Sequence, residues 1–216
     1  MPSSLYFQLM DTPDLKLLLE RVQDTLQSEA EKRDEFYEWL TPEIKAEFIN
    51  GEVVMHSPAK RKHLIASKRL LVLLELFVES RFLGEVQTEK ALIALSRNDY
   101  EPDICFWRKE VADAFDGDTM RHPAPDLVVE VLSKSTEARD RGIKFQDYAA
   151  HGIQEYWLVD ADQETVEAFT LNLESMGYEG GERLTVKDTL KSHAVPGFEI
   201  PVRAIFEPQA YAAAVK

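Results

Sequence analysis

The run PDLVVEVLS, residues 125 to 133, constrains the fold more than any other stretch of the chain. Its apolar, β-branched body reads as a strand covered on both faces, of the kind found in a sheet flanked by helices. Glu130 stands in the middle of it. A carboxylate carried into such surroundings costs several kcal/mol unless it is paired, protonated or bound to a cation. A fold that buries this run must therefore bring a partner to Glu130.

Apolar residues Leu15, Leu18, Leu19, Val22 and Leu26, then Phe36, Trp39 and Leu40, recur at three- and four-residue spacing and predict helix over residues 13 to 49. Asn50-Gly51 marks a turn, EVVMHS a strand, and roughly Lys62 to Phe82 a helix that stops at Gly84. EVQTEKALIALS then reads as one long strand, RNDYEP as a turn and DICFW as a short strand. An irregular stretch containing DAFDGDTMRHPAP leads into the opening run. STEARDRGIKFQDYAAHG predicts a helix, with Ser135 or Thr136 as N-cap and Gly152 as its stop. EYWLVD and TVEAFTL are strands around the turn ADQE. Beyond Gly180-Gly181, LTV and FEI lead to a short helical end near Ala210. This order predicts a mixed α/β (α+β) layer fold with one central mixed sheet flanked by helices. Residues 1–45 form a helical extension and residues 46–216 the domain proper.

Composition narrows the function classes. A chain of 216 residues can bury a real core as one large domain. A single cysteine, Cys105, excludes an intrachain disulfide, and no CxxC or His/Cys cluster points to zinc. The longest leucine-rich run, LLVLLELFV, is interrupted by Glu75, and the first residues lack the basic and apolar regions of a signal peptide. A cytoplasmic protein with no membrane span is expected. The net charge of −14 argues against coating nucleic acid by bulk electrostatics. Charge is uneven, however: residues 1 to 49 hold eleven acids and five bases, whereas residues 55 to 71 hold Lys60, Arg61, Lys62, Lys68 and Arg69 and no acid.

Two carboxylates stand in or at the mouth of adjacent core strands: Asp103, opening DICFW, and Glu130. If the strands pair, both reach one end of the sheet, where their repulsion is relieved by ion pairing or by one divalent cation. Hard cations such as Mg²⁺ take one or two carboxylates, with water and phosphate completing the shell. Lys144, on the helix after the Glu130 strand, shares a face with Arg141 and Tyr148. It either stabilises charge beside the two acids or is an ordinary surface cation paired to Asp140 or Asp147.

EPDICFW and EVL, with 26 residues between Asp103 and Glu130, resemble the PD-(D/E)xK nuclease superfamily, whose core is the restriction-endonuclease-like αβββαβ unit. More closely, AEFINGEVVMHSP, the following His63, RNDYEPDICFW, the long run from Pro125 to Asp160 and the closing PGFEIPVRAIF resemble the Uma-type family of bacterial restriction-endonuclease-like proteins. The resemblance covers most of residues 46 to 206. It implies a Mg²⁺- or Mn²⁺-dependent endonuclease hydrolysing phosphodiester bonds of DNA, with Asp103 and Glu130 as metal ligands. Where the superfamily pattern has lysine two residues after the acid, this chain has Leu132, so the resemblance assigns the assisting role to Lys144. Glu52 resembles the family's additional acid, to ligate metal or hold water; a solvent-facing strand glutamate is the alternative. Asp126 is a second PD aspartate, read as ordering the strand entrance. His63, among Lys60, Arg61 and Lys62 at a helix start, either contacts a phosphate or orders Glu52, or is structural. Arg141 faces the DNA backbone or pairs with nearby acids. Many nucleases of this class cut as dimers, so a homodimer is a further expectation.

Two other readings stand beside the nuclease: a nuclease-fold module that binds nucleic acid or protein without cutting, and a structural domain that needs no metal. Convergence of Asp103, Glu130 and Lys144 on a point open to solvent excludes the purely structural domain. If Glu130 lies in a dry ion pair, the nuclease reading fails.

Overall fold

A computed structural model describes residues 4–216. Helices α1 (Ser4–Met10) and α2 (Leu15–Trp39) precede strands β1 (Ala46–Ile49) and β2 (Glu52–Met55). After α3 (Arg61–Arg81) come β3 (Gly84–Thr88), β4 (Leu92–Ala94), β5 (Asp99–Tyr100) and β6 (Ile104–Arg108). A short α4 (Lys109–Ala112) and β7 (Arg121–His122) lead to β8 (Leu127–Val131), which carries Glu130. The next helical stretch has three parts: α5 (Glu137–Arg139), a π-helical turn (Asp140–Lys144) and α6 (Phe145–Ala150). Strands β9 (Glu155–Asp160), β10 (Thr165–Asn172), β11 (Gly177–Leu184), β12 (Thr189–Lys191) and β13 (Glu199–Pro201) follow, then α7 (Arg203–Phe206) and α8 (Pro208–Ala214).

Six strands pair in the order β11-β10-β9-β8-β6-β3. Only β8 and β9 run parallel, because the helical stretch between them is a crossover; every other neighbour is antiparallel. Read from α3 through β3, β6, β8, the crossover helix and β9, the chain has the αβββαβ order that the sequence implies. The remaining early strands make a second sheet, β2-β1-β5-β4-β7, where one sheet was expected.

Both faces of the six-stranded sheet are covered. On one, Leu70, Leu73, Leu74 and Val78 of α3 pack on Ile104, Phe106, Val129 and Trp157. Their three- and four-residue spacing is the apolar stripe that makes α3 amphipathic. On the other, Tyr148 and Ile153, together with Ile93 and Tyr100 from the second sheet, cover Cys105, Trp107, Val128 and Leu158. Every residue of β8 is consequently buried, Glu130 included.

Three local readings give way, each for a physical reason. The helix expected over 13 to 49 stops at Trp39, because Pro42 disfavours helical backbone at the residue before it; Ala46 to Ile49 become β1 instead. EVQTEKALIALS is two strands in two sheets, divided at Glu89 and Lys90, whose φ angles of 36° and 53° turn the chain out of extended backbone. Gly180 and Gly181 lie inside β11, beside the point where its register with β10 shifts. A Cβ on Gly181 would sit 2.0 Å from the Phe169 ring, so the bulge needs glycine there. Among the described residues no helix is long and apolar enough to cross a membrane.

Candidate active site

Pairing of β6 with β8 aligns Ile104 with Val129 and Cys105 with Val128. Continued by one residue, that register sets Asp103 opposite Glu130. Strand alternation puts both side chains on the face of Cys105 and Val128, beneath α6. Asp103 is held at both oxygens: Oδ2 accepts the Val131 N–H at 2.8 Å, and Oδ1 lies 3.3 Å from His63 Nε2 at the start of α3. Burial opposes its charge, but the His63 contact and the Val131 N–H outweigh burial and hold its pKa below the usual carboxylate range.

Lys144 reaches Glu130 from the π-helical turn. Its Nζ donates to Glu130 Oε1 at 2.8 Å, lies 2.7 Å from Glu47 Oε1, and stands 3.7 Å from Asp140 Oδ1. Tyr148 OH, one helical turn on, donates to the same Glu130 oxygen at 3.2 Å. Burial acts to discharge the lysine; the acids Glu130, Glu47 and Asp140 outweigh it and raise its pKa well above the ordinary value, so it stays an ammonium. Its side chain is only 3% exposed.

One ammonium does not balance this pocket. Glu47, Asp103, Glu130 and Asp140 are all buried together, and burial raises the pKa of Glu130 well above normal and also raises that of Asp140. Asp140 Oδ1 is sealed from solvent without a hydrogen bond. Glu130 Oε2 accepts no hydrogen bond among the described residues. Glu155 on the neighbouring strand provides the contrast. Equally buried, it accepts from Trp157 Nε1, Ser192 Oγ and the backbone N–H groups of His193 and Ala194, four donors within 2.9 Å. Glu155 is satisfied by hydrogen bonds alone, whereas Glu130 keeps one oxygen spare in a cluster with more carboxyl groups than ammonium groups.

The donor set is hard oxygen, which fits a Mg²⁺- or Mn²⁺-type cation rather than a soft one. Asp103 and the free oxygen of Glu130 are the groups able to hold it. The fit is of the two-carboxylate kind: among the described residues no three or more His, Cys, Asp or Glu side chains are assembled as a metal cage.

Asp103, Glu130 and Lys144, distant in sequence, thus meet at one end of the sheet. Glu52 does not join them. It sits on edge strand β2, solvent-exposed, and lines an open groove with Asp24, Thr25 and Ser28. The acid that reaches Lys144 instead is Glu47, five residues earlier on β1, whose Oε1 also accepts the Glu101 N–H at 3.1 Å. Glu47 escaped the sequence reading because its strand lies in the stretch expected to be helix, and no alternation marks it, since all four residues of β1 are buried. His63 orders Asp103 and not Glu52. Arg141 is committed to acids, pairing with Glu137 at 3.0 Å and gripping Glu167 through both terminal nitrogens at 2.8 Å. Lys60 and Arg61 remain exposed at the start of α3, while Lys62 pairs with Asp162. Asp126 is at the far end of the strand, accepting from Arg108 and Gln154, which is the ordering role expected of it. Cys105 lies beneath the site, and burial lifts its thiol pKa far from reactivity.

Comparison with known proteins bears on the fold and the family. A solved structure from Anabaena variabilis, described as a "putative nuclease belonging to DUF820", superposes with a TM-score of 0.68 at 16% identity, over 85% of this chain and 98% of that one. At that identity the likeness speaks for the fold. An uncharacterised protein of Synechocystis sp., slr1290, is 29% identical over 175 residues, which is 75% of this chain and 87% of that protein. The family model Uma2, described as "Putative restriction endonuclease", matches residues 33–203. The match takes in β1, the Asp103 turn, β8 and the Lys144 helix, and the chain belongs to the Uma2 restriction-endonuclease family.

Proposed function

We propose that the chain is a divalent-cation-dependent endonuclease acting on phosphodiester bonds of DNA. The observation that carries the reading is the convergence of Asp103, Glu130 and Lys144, from two strands and the following helix, in a cluster with more acid than base. When bound there, a cation of the Mg²⁺ class supplies a polarised water and charge stabilisation for phosphodiester hydrolysis. Asp103 is pre-set for its part by the Val131 N–H and His63, so it need not reorganise to bind. Lys144, held as an ammonium, contributes positive charge next to the scissile phosphate and cannot serve as a base. Glu47 keeps that ammonium from collapsing onto Glu130 alone by sharing it. Lys60 and Arg61, beside His63, supply phosphate contacts along the mouth of the site. DNA as substrate, over RNA, follows from the family.

The near-dry pairing of Lys144 with Glu130 favours a second reading, a nuclease fold that binds nucleic acid without cutting it. A cleavage assay on plasmid and single-stranded DNA with Mg²⁺ or Mn²⁺ separates the two. The wild-type protein should cut, and Glu130→Gln and Lys144→Ala, purified identically, should not. Cleavage that survives Glu130→Gln would come from a contaminant. Absence of cleavage by the wild-type protein, with calorimetric Mn²⁺ binding still lost in Glu130→Gln, would replace the nuclease with the binding module.

A further inference from the structure

Helix α2 carries one continuous stripe at alternating four- and three-residue steps: Leu15, Leu19, Val22, Leu26, Glu29, Arg33 and Phe36. That is the heptad spacing of a helix-pairing seam. Its C-terminal half is seated on the domain. Glu29 grips Arg97 through both oxygens at 2.7 Å, Arg33 does the same to Asp99 at 2.6 and 2.7 Å, and the Phe36 ring packs on Phe48. The N-terminal half of the same stripe leaves the domain with its apolar side chains open: Leu19 is 51% exposed, Val22 45% and Leu26 46%, with Leu17 beside them at 57%. In α1, Phe7 and Met10 are also more than half exposed. Residues before 33 lie outside the matched family, so this arm is an addition to the nuclease core.

Charge decides what covers it. The chain carries −14, and residues 1 to 49 are acidic overall, yet residues 15 to 28 are neutral: Lys16 and Arg21 balance Glu20 and Asp24. The positions flanking the stripe are Lys16, Leu18, Gln23 and Thr25, with no acid among them. A seam for a basic partner would be edged with acids. A seam edged this way lets two strongly acidic copies meet without opposing carboxylates.

We infer that α2 pairs antiparallel with α2 of a second copy of this chain. A twofold axis between Glu20 and Arg21 sets Leu19 against Val22 and Leu15 against Leu26 of the other copy, in layers of the kind knobs-into-holes packing requires. The antiparallel sense also sends the two acidic domains to opposite ends of the pair, where a parallel sense would crowd them together. This inference is independent of whether the site cuts DNA.

The test is sedimentation equilibrium of the full chain from 1 to 50 μM. Wild type should approach twice 24.7 kDa. Leu19→Glu with Val22→Glu, both at exposed positions, should sediment as monomer with an unchanged helical circular dichroism signal. A wild-type monomer throughout that range overturns the inference; so does a dimer that survives the double substitution. Orientation is read by spin labels on Ser28→Cys, Cys105 being buried and unreactive. Antiparallel pairing places residue 28 beside residue 13 of the other copy, an axial offset of about 22 Å at 1.5 Å per residue. A label separation below about 15 Å overturns the antiparallel arrangement.

Discussion

Replacing Lys144 by methionine keeps the length of the side chain and removes the one ammonium that faces Glu47, Glu130 and Asp140. Breaking a buried ion pair from one side costs about 3–5 kcal/mol, because the abandoned charge stays buried. For a chain of this size each kcal/mol moves Tm by about 2–4 °C, so Lys144→Met should melt roughly 6–20 °C below wild type at pH 8. The penalty depends on pH in a fixed direction. Burial sets the folded pKa values of Glu130 and Asp140 above their unfolded ones, so the folded form binds the extra protons. Stability from that protonation is present at low pH and lost as pH rises through the folded values. The deficit of Lys144→Met should therefore be largest at pH 8 and shrink towards pH 5, where the acids neutralise themselves. Glu130→Gln is the companion. A glutamine oxygen still accepts from Lys144 and Tyr148, while Lys144 keeps Glu47 at 2.7 Å, so this variant should melt within about 1 kcal/mol of wild type or above it. Thermal melts in EDTA from pH 5 to 8 read all three proteins. If Glu130→Gln loses as much as Lys144→Met, the cluster is a balanced structural pair and the argument for surplus carboxyl groups is wrong.

Glu101 has its pKa pushed up to about 7, chiefly by burial, and its Oε2 is sealed without a partner. Its folded pKa exceeds the unfolded one, so it costs stability as pH rises from about 5 through 7; Glu101→Gln should raise Tm at pH 8 and leave it unchanged at pH 5, in melts at constant ionic strength. Arg61→Glu should weaken DNA binding in filter-binding or anisotropy assays and flatten its salt dependence, since it removes an exposed cation at the site mouth. Arg141→Ala, whose guanidinium is spent on Glu137 and Glu167, should leave DNA affinity unchanged and cost stability by up to about 1 kcal/mol, as a partly exposed pair does.

The αβββαβ core was legible because its strands announce themselves by composition: DICFW is apolar and aromatic and DLVVEVL apolar and β-branched, as inner strands are. Their pairing made Asp103 and Glu130 neighbours, and Lys144 followed from the helix after them. What stayed hidden lies where local pattern and tertiary setting disagree. AEFI continues a helical-looking stretch without Gly, so only Pro42 signals the break, and with β1 went Glu47. Glu89 and Lys90 adopt positive φ without being Gly or Asn, which no propensity anticipates. Arg141 and Lys144 look alike as helix cations; only the packed fold separates the one facing outward to Glu167 from the one facing inward to Glu130.

The π-helical turn at Asp140–Lys144 has a consequence for how this chain tolerates change. A helix that carries one residue more per turn than the regular spiral is a spliced-in residue made permanent, and such turns recur at functional sites. Deleting a residue there, Gly142 for example, would let the stretch relax to an unbroken α-helix of ordinary pitch. Lys144 and α6 both follow Gly142 on one helix, so the cut would turn them together by about 100° relative to α5, carrying the ammonium away from Glu130 along with Tyr148 and the apolar face of α6. A one-codon deletion in this turn thus strikes the acid cluster and the packing of α6 on the sheet at once.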